Sequence, residues 1–147
     1  MKKTKNTFIA LGIIIIVVGI LAFLNTFLYK RDPFKDFHNI KESAILSIDS
    51  NKYYVYFYQL DNERCDDLND IMTKKLAGNL FYCNLDNTDE HFVKFGKDYS
   101  LEDTDFTQWR ELGDITITKT PALLTVQDGK IINYTEDCNE IKEYAES

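Results

Sequence analysis

Cysteine is the residue type in this sequence with the most reactive side chain, and it occurs three times, at Cys65, Cys83 and Cys138. A thiolate can attack a disulfide or bind a metal ion, and two thiols can form a disulfide. An odd number of cysteines in an oxidising compartment implies at least one free thiol or a bond to another molecule. No two cysteines have zinc-knuckle spacing, and neither His38 nor His91 has a ligand-spaced partner. We therefore expect thiol chemistry, with no metal site and no cofactor.

Hydrophobic patterning indicates the elements that would position these thiols. Lys52–Tyr58, with the sequence KYYVYFY, is a continuous aromatic and β-branched run, which is typical of a strand buried on both faces. Asn79–Leu85 is a second apolar strand, and it makes Cys83 a small buried hydrophobic residue. Between them, Cys65–Leu76 places its apolar residues on one helical face, with acids at its start and lysines near its end. Cys65 is thus expected in the first turn of a helix.

The remaining elements complete an alternating order. A short strand is predicted at Phe37–Ile40, and helices are predicted at Glu42–Asp49 and Phe106–Leu112. The sequence ITITKTPALLTVQDGKIINYT then predicts a strand, an Asp128-Gly129 hairpin turn and a returning strand, and Cys138–Ala145 predicts a closing helix. Right-handed crossovers would make the first strands parallel and place helices on both faces of a mixed sheet. The predicted fold class is α/β.

An apolar segment precedes this domain. Phe8–Leu28 carries no charge, and its only polar side chains are Asn25 and Thr26. About 20 such residues in a helix span a bilayer core of roughly 30 Å. A cleaved signal peptide is the alternative, but the run does not end in the small residues of a peptidase site. We therefore predict a transmembrane anchor.

Flanking charge predicts the orientation of this anchor. Three lysines and no acid precede it, which favours a cytoplasmic N-terminus at residues 1–7 and a globular part outside the cytoplasm. The anchor at 8–28 is followed by a predicted linker at 29–36 and a domain at 37–147. Acids outnumber bases 24 to 17 over the whole chain, and several of the bases flank the anchor. So acidic a domain is repelled by phosphate backbones and anionic lipids, which excludes nucleic acid as a partner.

The order of elements and three local motifs resemble the thioredoxin superfamily, particularly its membrane-anchored bacterial members, which include bacteriocin transport accessory proteins. YVYFYQLDNERCDDL resembles the family's strand, loop and cysteine-bearing helix start. Thr120-Pro121 before ALLTV resembles the cis-proline loop beside the active site, and VQDGKI resembles the hairpin that follows it. The resemblance covers most of residues 37–147 and implies a thioredoxin-like fold.

The chain departs from the family at the dithiol motif. The family's C-x-x-C maps onto Asn62-Glu63-Arg64-Cys65, so the second cysteine is Cys65 and the first is replaced by Asn62. In the family the first cysteine is the attacking nucleophile, and the second resolves the mixed disulfide. Asn62 cannot attack sulfur, although its side-chain oxygen can cap a helix N-terminus. The family's buried acid maps onto Tyr56 and its tryptophan onto Asp61, so the proton relay and the usual contact surface are also missing.

The resemblance also implies roles for the residues that remain. Cys65 is the candidate reactive residue; the alternative is a partly buried thiol whose ionisation the two following aspartates oppose. Thr120 and Pro121 would offer backbone hydrogen bonds to an extended partner, and the alternative is a purely structural turn. Cys138 would lie near the rim of the same site as a possible second thiol. We expect its Cα atom to lie farther from the Cα atom of Cys65 than the roughly 7 Å that a disulfide allows, which would leave both thiols free.

One connection is longer than a compact domain usually contains, at about residues 86–104. The family's link is shorter, so this segment is an insertion. It carries Phe92, Val93, Phe95 and Tyr99, which could pack over the sheet's edge or form a lid, and the alternative is a solvated loop.

These observations lead to one functional hypothesis and one alternative. The hypothesis is an accessory protein, anchored through Phe8–Leu28, that binds a peptide or protein partner without dithiol turnover, a cysteine-containing partner being one candidate. The alternative is a monothiol thiol-disulfide oxidoreductase that uses Cys65, with Cys138 as a resolving thiol, in the disulfide handling of bacteriocins or secreted proteins. An enzyme of another class has no support, since the sequence contains neither a Ser/His/Asp set nor a phosphate-binding loop.

Overall fold

The computed structural model describes residues 2–28, 32–74, 78–86, 91–102 and 104–147. The chain divides into two compact units, residues 1–31 and residues 32–147.

The first unit contains one long helix, α1 (Lys2–Leu28). Within it, Asn6–Thr26 is long and apolar enough to cross a membrane, and none of that span is buried in the protein. Its apolar side chains are exposed around the whole helix, as expected for a helix surrounded by lipid. The length and composition also fit a signal sequence near an N-terminus. The orientation of this helix stays a prediction.

The second unit is built on a four-stranded mixed sheet. Its first two strands, β1 (Lys52–Tyr58) and β2 (Leu80–Asn84), are parallel. After two short strands, β3 (Lys94–Phe95) and β4 (Thr116–Ile117), the chain forms the hairpin of β5 (Ala122–Gln127) and β6 (Lys130–Thr135). The sheet order is β2–β1–β5–β6, and β5 is antiparallel to both neighbours. The predicted mixed sheet is confirmed.

The predicted first strand is reduced to a single point of pairing. Within Phe37–Ile40, only Asn39 pairs in parallel, as an isolated bridge to Tyr82 of β2. The segment therefore extends the sheet by one residue pair beyond β2.

Two α-helices cover one face of this sheet. Successive side chains of a strand point to opposite faces, so Tyr56 and Tyr58 share a face that is opposite to that of Val55 and Phe57. Helix α2 (Asp66–Lys74) follows β1, and helix α3 (Cys138–Glu146) follows β6. Both helices pack on the tyrosine face; the buried residues they contribute there are Leu68, Met72 and Ile141. The predictions for α2 and α3 are confirmed over these ranges, and residues 75–77 lie outside the described part of the chain. The expectation that Cys65 lies in the first turn of α2 was wrong, because the helix begins at Asp66 and Cys65 has a left-handed φ of 60°.

The opposite face of the sheet is covered by irregular chain. Among the described residues, the expectation that helices would cover both faces was therefore wrong. The predicted helix at Glu42–Asp49 is one 3-10 turn, Glu42–Ala44, and Phe106–Leu112 contains only the turn Phe106–Gln108. Hydrogen bonds from side chains to the backbone compete with helix formation here. Asp114 accepts the amide hydrogens of Arg110 and Glu111 at 2.8 and 3.0 Å and draws the chain into a second 3-10 turn, Leu112–Asp114.

The folded unit begins before the predicted start of the domain. Residues 29–31 of the predicted linker lie outside the described residues, but Phe34 is fully buried. Its ring lies 4.5 Å from the ring of Tyr82 and 4.6 Å from that of Tyr58, centroid to centroid. Asp32 accepts the hydroxyl hydrogen of Tyr58 at 2.8 Å. Residues 32–36 therefore belong to the domain and not to a linker.

The described part of the insertion packs on the irregular face. Val93 is buried in that core, and β3 pairs in parallel with β4. The buried carboxylate of Glu42 accepts the amide hydrogens of Phe92 and Val93 at 2.8 and 3.3 Å, and it lies 2.6 Å from Nδ1 of His91. The insertion thus forms part of the domain wall, while the side chain of Phe92 remains exposed. Residues 87–90 and 103 of the predicted insertion lie outside the described residues.

Candidate functional site

The loop after β1 contacts the loop before Pro121 through Asn62. The Asn62 Oδ1 atom accepts the amide hydrogen of Arg64 at 2.9 Å, which fixes a turn within the loop. Its Nδ2 atom donates to the carbonyl oxygen of Thr120 and, at 2.7 Å, to the Thr120 hydroxyl. Helix α2 starts only at Asp66, so Asn62 holds two loops together instead of capping the helix.

Arg64 joins the same loops to a third segment. Its Nη1 atom donates to the carbonyl oxygens of Thr120 and Pro121, both at 3.2 Å, and its Nη2 atom donates to the carbonyl oxygen of Glu136. All of these acceptors are main-chain carbonyls. Nothing in the type or spacing of Arg64 indicates carbonyl partners so distant along the chain, so its role was not predictable.

Cys65 and Cys138 form a disulfide, so the expectation of two free thiols was wrong. Their Cα atoms are 5.9 Å apart, inside the range that a disulfide allows. Helices α2 and α3 start side by side on one face of the sheet, and this brings the two cysteines together. Cys65 has a φ of 60°, a left-handed conformation that few residues other than glycine adopt. The reactive residue predicted from the sequence is therefore covalently occupied here.

Glu136 is a buried acid whose carboxylate binds the chain that enters β5. Its carboxylate accepts hydrogens from the amide and hydroxyl of Thr118 at 2.7 and 2.6 Å, from the Lys119 amide at 3.4 Å and from the Tyr134 hydroxyl at 2.6 Å. Burial, and then the hydrogen bond to Glu136, raises the pKa of Tyr134. The role of Glu136 was not predictable either, since an isolated acid after a strand carries no local signal of burial.

Thr120 and Pro121 lie at the centre of these contacts. The peptide bond between them is cis, and both residues are buried. The Thr120 hydroxyl donates to Oε1 of Gln59 at 2.9 Å. The Thr120 carbonyl already accepts hydrogens from Asn62 and Arg64. In this state the atom expected to bind an extended partner is engaged inside the domain.

A cleft of about 430 Å³ opens beside these contacts. It lies between the loop after β1, the loop before Pro121 and the part of the insertion that contains β3. Its charged lining is mixed, with three bases and two acids: Arg64, Lys97, Lys119, Asp61 and Asp86. Phe95 contributes an aromatic surface to the same cleft. The volume is that of a pocket for a small ligand or for one or two side chains of a partner.

Tyr56 is the residue onto which the resemblance to thioredoxins maps a buried acid. It is fully buried, and its hydroxyl has no hydrogen-bond partner in the described part of the chain. Burial, and then the neighbouring Tyr82, raises its pKa. A phenol held neutral in this way cannot take the proton that a carboxylate would take at neutral pH.

The third cysteine provides a simple test of the cysteine arrangement. Cys83 is free and fully buried in β2, as predicted, and burial, followed by the charge of Glu42, raises the pKa of its thiol to about 12. We expect iodoacetamide at pH 8 to modify no thiol in the native protein, one thiol after denaturation, and three after denaturation with reduction. Mass spectrometry counts the adducts. Modification of two or more thiols in the native, unreduced protein would contradict the disulfide.

No protein-family model matches this chain, and no curated protein matches it.

Proposed function

We propose that this chain is a membrane-anchored, extracytoplasmic accessory protein whose thioredoxin-like domain binds a peptide or protein partner at the cleft, without dithiol turnover. One observation carries the proposal: Asn62, which the resemblance to thioredoxins maps onto their attacking cysteine, supplies no thiol and is hydrogen-bonded to Thr120. Cys65 is closed by its bond to Cys138, so the cleft has no free thiol with which to start an exchange.

The order of the sheet supports the thioredoxin-like part of the proposal. From one edge to the other it reads Asn39 bridge, β2, β1, β5, β6, with parallel pairing in the first half and antiparallel pairing in the second. Helix α2 begins directly after the loop that follows β1, and that loop touches the chain entering β5. Parallel first strands and a final antiparallel hairpin are what the order of elements in the sequence predicted.

The disulfide supports an extracytoplasmic location. Disulfides persist in oxidising compartments and are rare in the cytosol. The excess of lysines before the apolar span of α1 favours the same orientation, because it keeps the short N-terminus inside.

The cleft supports a partner of peptide character. Its lining combines an aromatic side chain with charges of both signs, which suits the alternating side chains of an extended polypeptide. Lys97 and Lys119 are exposed on its walls, whereas Arg64 is partly buried. A partner would therefore meet Lys97 and Lys119 before it reaches Arg64.

The alternative function is a thiol-disulfide oxidoreductase that uses Cys65, with Cys138 as its second sulfur. The observation that favours it is the disulfide itself, because both cysteines are partly exposed and within reach of a thiol. It differs from the main proposal in requiring turnover.

Site-specific photocrosslinking tests the binding proposal. We expect full-length protein with p-benzoylphenylalanine in place of Lys97 or Lys119 to form one discrete adduct in the membranes of the producing cells. The same substitution at Ile132, which is exposed on β6 and does not line the cleft, is the control. An adduct at both cleft positions and not at Ile132 supports the proposal. Equal labelling at all three positions, or no adduct at either cleft position of a folded protein, would contradict it.

A further inference from the structure

We infer that the Cys65–Cys138 disulfide is a redox site that controls the cleft: its reduction by a dithiol loosens Arg64 and frees, for an extended partner, the position on the Thr120 carbonyl that Arg64 occupies beside Asn62. The inference rests on the proposed function, because it assigns regulation to the same cleft. It goes beyond partner binding because it makes binding depend on the redox state of the cysteine pair.

Two ties connect the same two segments of the chain. One is the disulfide between Cys65 and Cys138, and the other is the hydrogen bond from Arg64 to the carbonyl oxygen of Glu136. Arg64 directly precedes Cys65, and Glu136 lies two residues before Cys138. The covalent tie therefore limits how far the partners of the second tie can separate.

The chain entering β5 is held by the residues of these ties. Arg64 binds the carbonyls of Thr120 and Pro121, while the Glu136 carboxylate binds the amides of Thr118 and Lys119. Movement of either segment thus reaches the wall of the cleft through direct hydrogen bonds. No longer-range coupling is needed.

The backbone conformation of Cys65 favours movement of Arg64 away from its acceptors once the disulfide opens. Its φ of 60° places a residue with a side chain in the left-handed region, where steric crowding of the Cβ atom disfavours it. The bond to Cys138 holds this cysteine in place next to Arg64. Once the bond opens, the backbone at Cys65 is free to leave the left-handed region, which turns the adjoining Arg64 away from its carbonyl acceptors.

The chemistry balances with a dithiol as the reductant. One of its thiolates attacks Cys65 or Cys138, both of which are partly exposed, and forms a mixed disulfide while the other cysteine leaves as a thiolate. The second thiol of the reductant then displaces the remaining cysteine. The reductant becomes a disulfide, and the protein pair gains two electrons and two protons.

Hydrogen exchange on the full-length protein in detergent micelles tests the inference without any partner. We expect reduction with dithiothreitol to speed exchange of the Thr118 and Lys119 amides by about tenfold within minutes. The amides of β1 should stay protected over the same interval. In an Arg64→Gln variant, exchange at Thr118 and Lys119 should be fast in both redox states, whereas Cys83→Ser should behave as the unaltered protein does.

Three outcomes would overturn the inference. The first is unchanged exchange at Thr118 and Lys119 in protein whose mass shows that the pair has been reduced. The second is an equally large rise in the exchange of the β1 amides, which would show that the disulfide stabilises the whole domain and not the cleft in particular. The third is a pair that dithiothreitol does not reduce. Because exchange is measured without a partner, its failure is distinguishable from a missing photocrosslink, which would contradict the proposed function alone.

Discussion

Phe34→Ala is expected to lower the free energy of unfolding by roughly 3–5 kcal/mol, the usual cost of removing a buried phenylalanine side chain. Phe34 is fully buried, and its ring packs against those of Tyr56, Tyr58 and Tyr82 with centroids 5.5, 4.6 and 4.5 Å away. Three aromatic rings cannot collapse into the space left by the fourth, so a cavity remains. Urea unfolding of the full-length protein in detergent, followed by the fluorescence of its single tryptophan, Trp109, measures the loss.

Phe92→Ala is the matched control. It makes the same chemical change at a side chain that is 58% exposed, and it should alter the free energy of unfolding by no more than about 0.5 kcal/mol. Equal and small losses for the two variants would show that residues 32–36 are a linker after all. Equal and large losses would show that the insertion buries Phe92.

Strands β1 and β2 and the final hairpin were predictable because their signals are local. The run KYYVYFY predicted the bounds of β1, Lys52–Tyr58, since a continuous aromatic and β-branched run is typical of a strand buried on both faces. The Asp128-Gly129 turn was equally readable: φ is 50° at Asp128 and 74° at Gly129, which these two residue types tolerate better than most. In both cases the residues that form the element also specify it.

The candidate site was predictable only in part, because its contacts are distant in sequence. Asn62, Thr120 and Pro121 were identified; Asn62 is hydrogen-bonded to Thr120, and Pro121 follows Thr120 through a cis peptide bond. The partners of Arg64 are main-chain carbonyls 56 to 72 residues away, which no spacing rule can reveal. The pairing of Cys65 with Cys138 depends on two helices starting side by side, a tertiary arrangement that the sequence of neither helix encodes alone.

The wild-type protein is expected to reduce insulin disulfides no faster than the dithiothreitol that drives the assay, more than about a hundredfold below a thioredoxin control. Turnover needs a nucleophile that attacks and a second thiol that resolves. Asn62 supplies no sulfur, and Cys83 is buried with its pKa raised to about 12. Cys65 and Cys138 are only partly exposed, which admits the small dithiothreitol molecule but not a disulfide within insulin. Turbidity of precipitating insulin measures the rate. Activity close to that of the control, abolished by Cys65→Ser, would establish the alternative oxidoreductase.

Asn62→Cys combined with Cys138→Ser is the variant in which activity should appear. The first change restores a thiol three residues before Cys65, and the second removes the sulfur that now occupies Cys65. The neighbouring Arg64 charge favours the new thiolate. Tyr56 keeps the rate low, since burial raises its pKa and its neutral phenol cannot act as the base that the resemblance assigns to a carboxylate at this position. Asn62→Cys alone should be less active, because the introduced thiol must first displace Cys138 from Cys65. Equal inactivity of all variants, despite a titratable thiol pair in the double variant, would place the barrier at Tyr56 and not at Asn62.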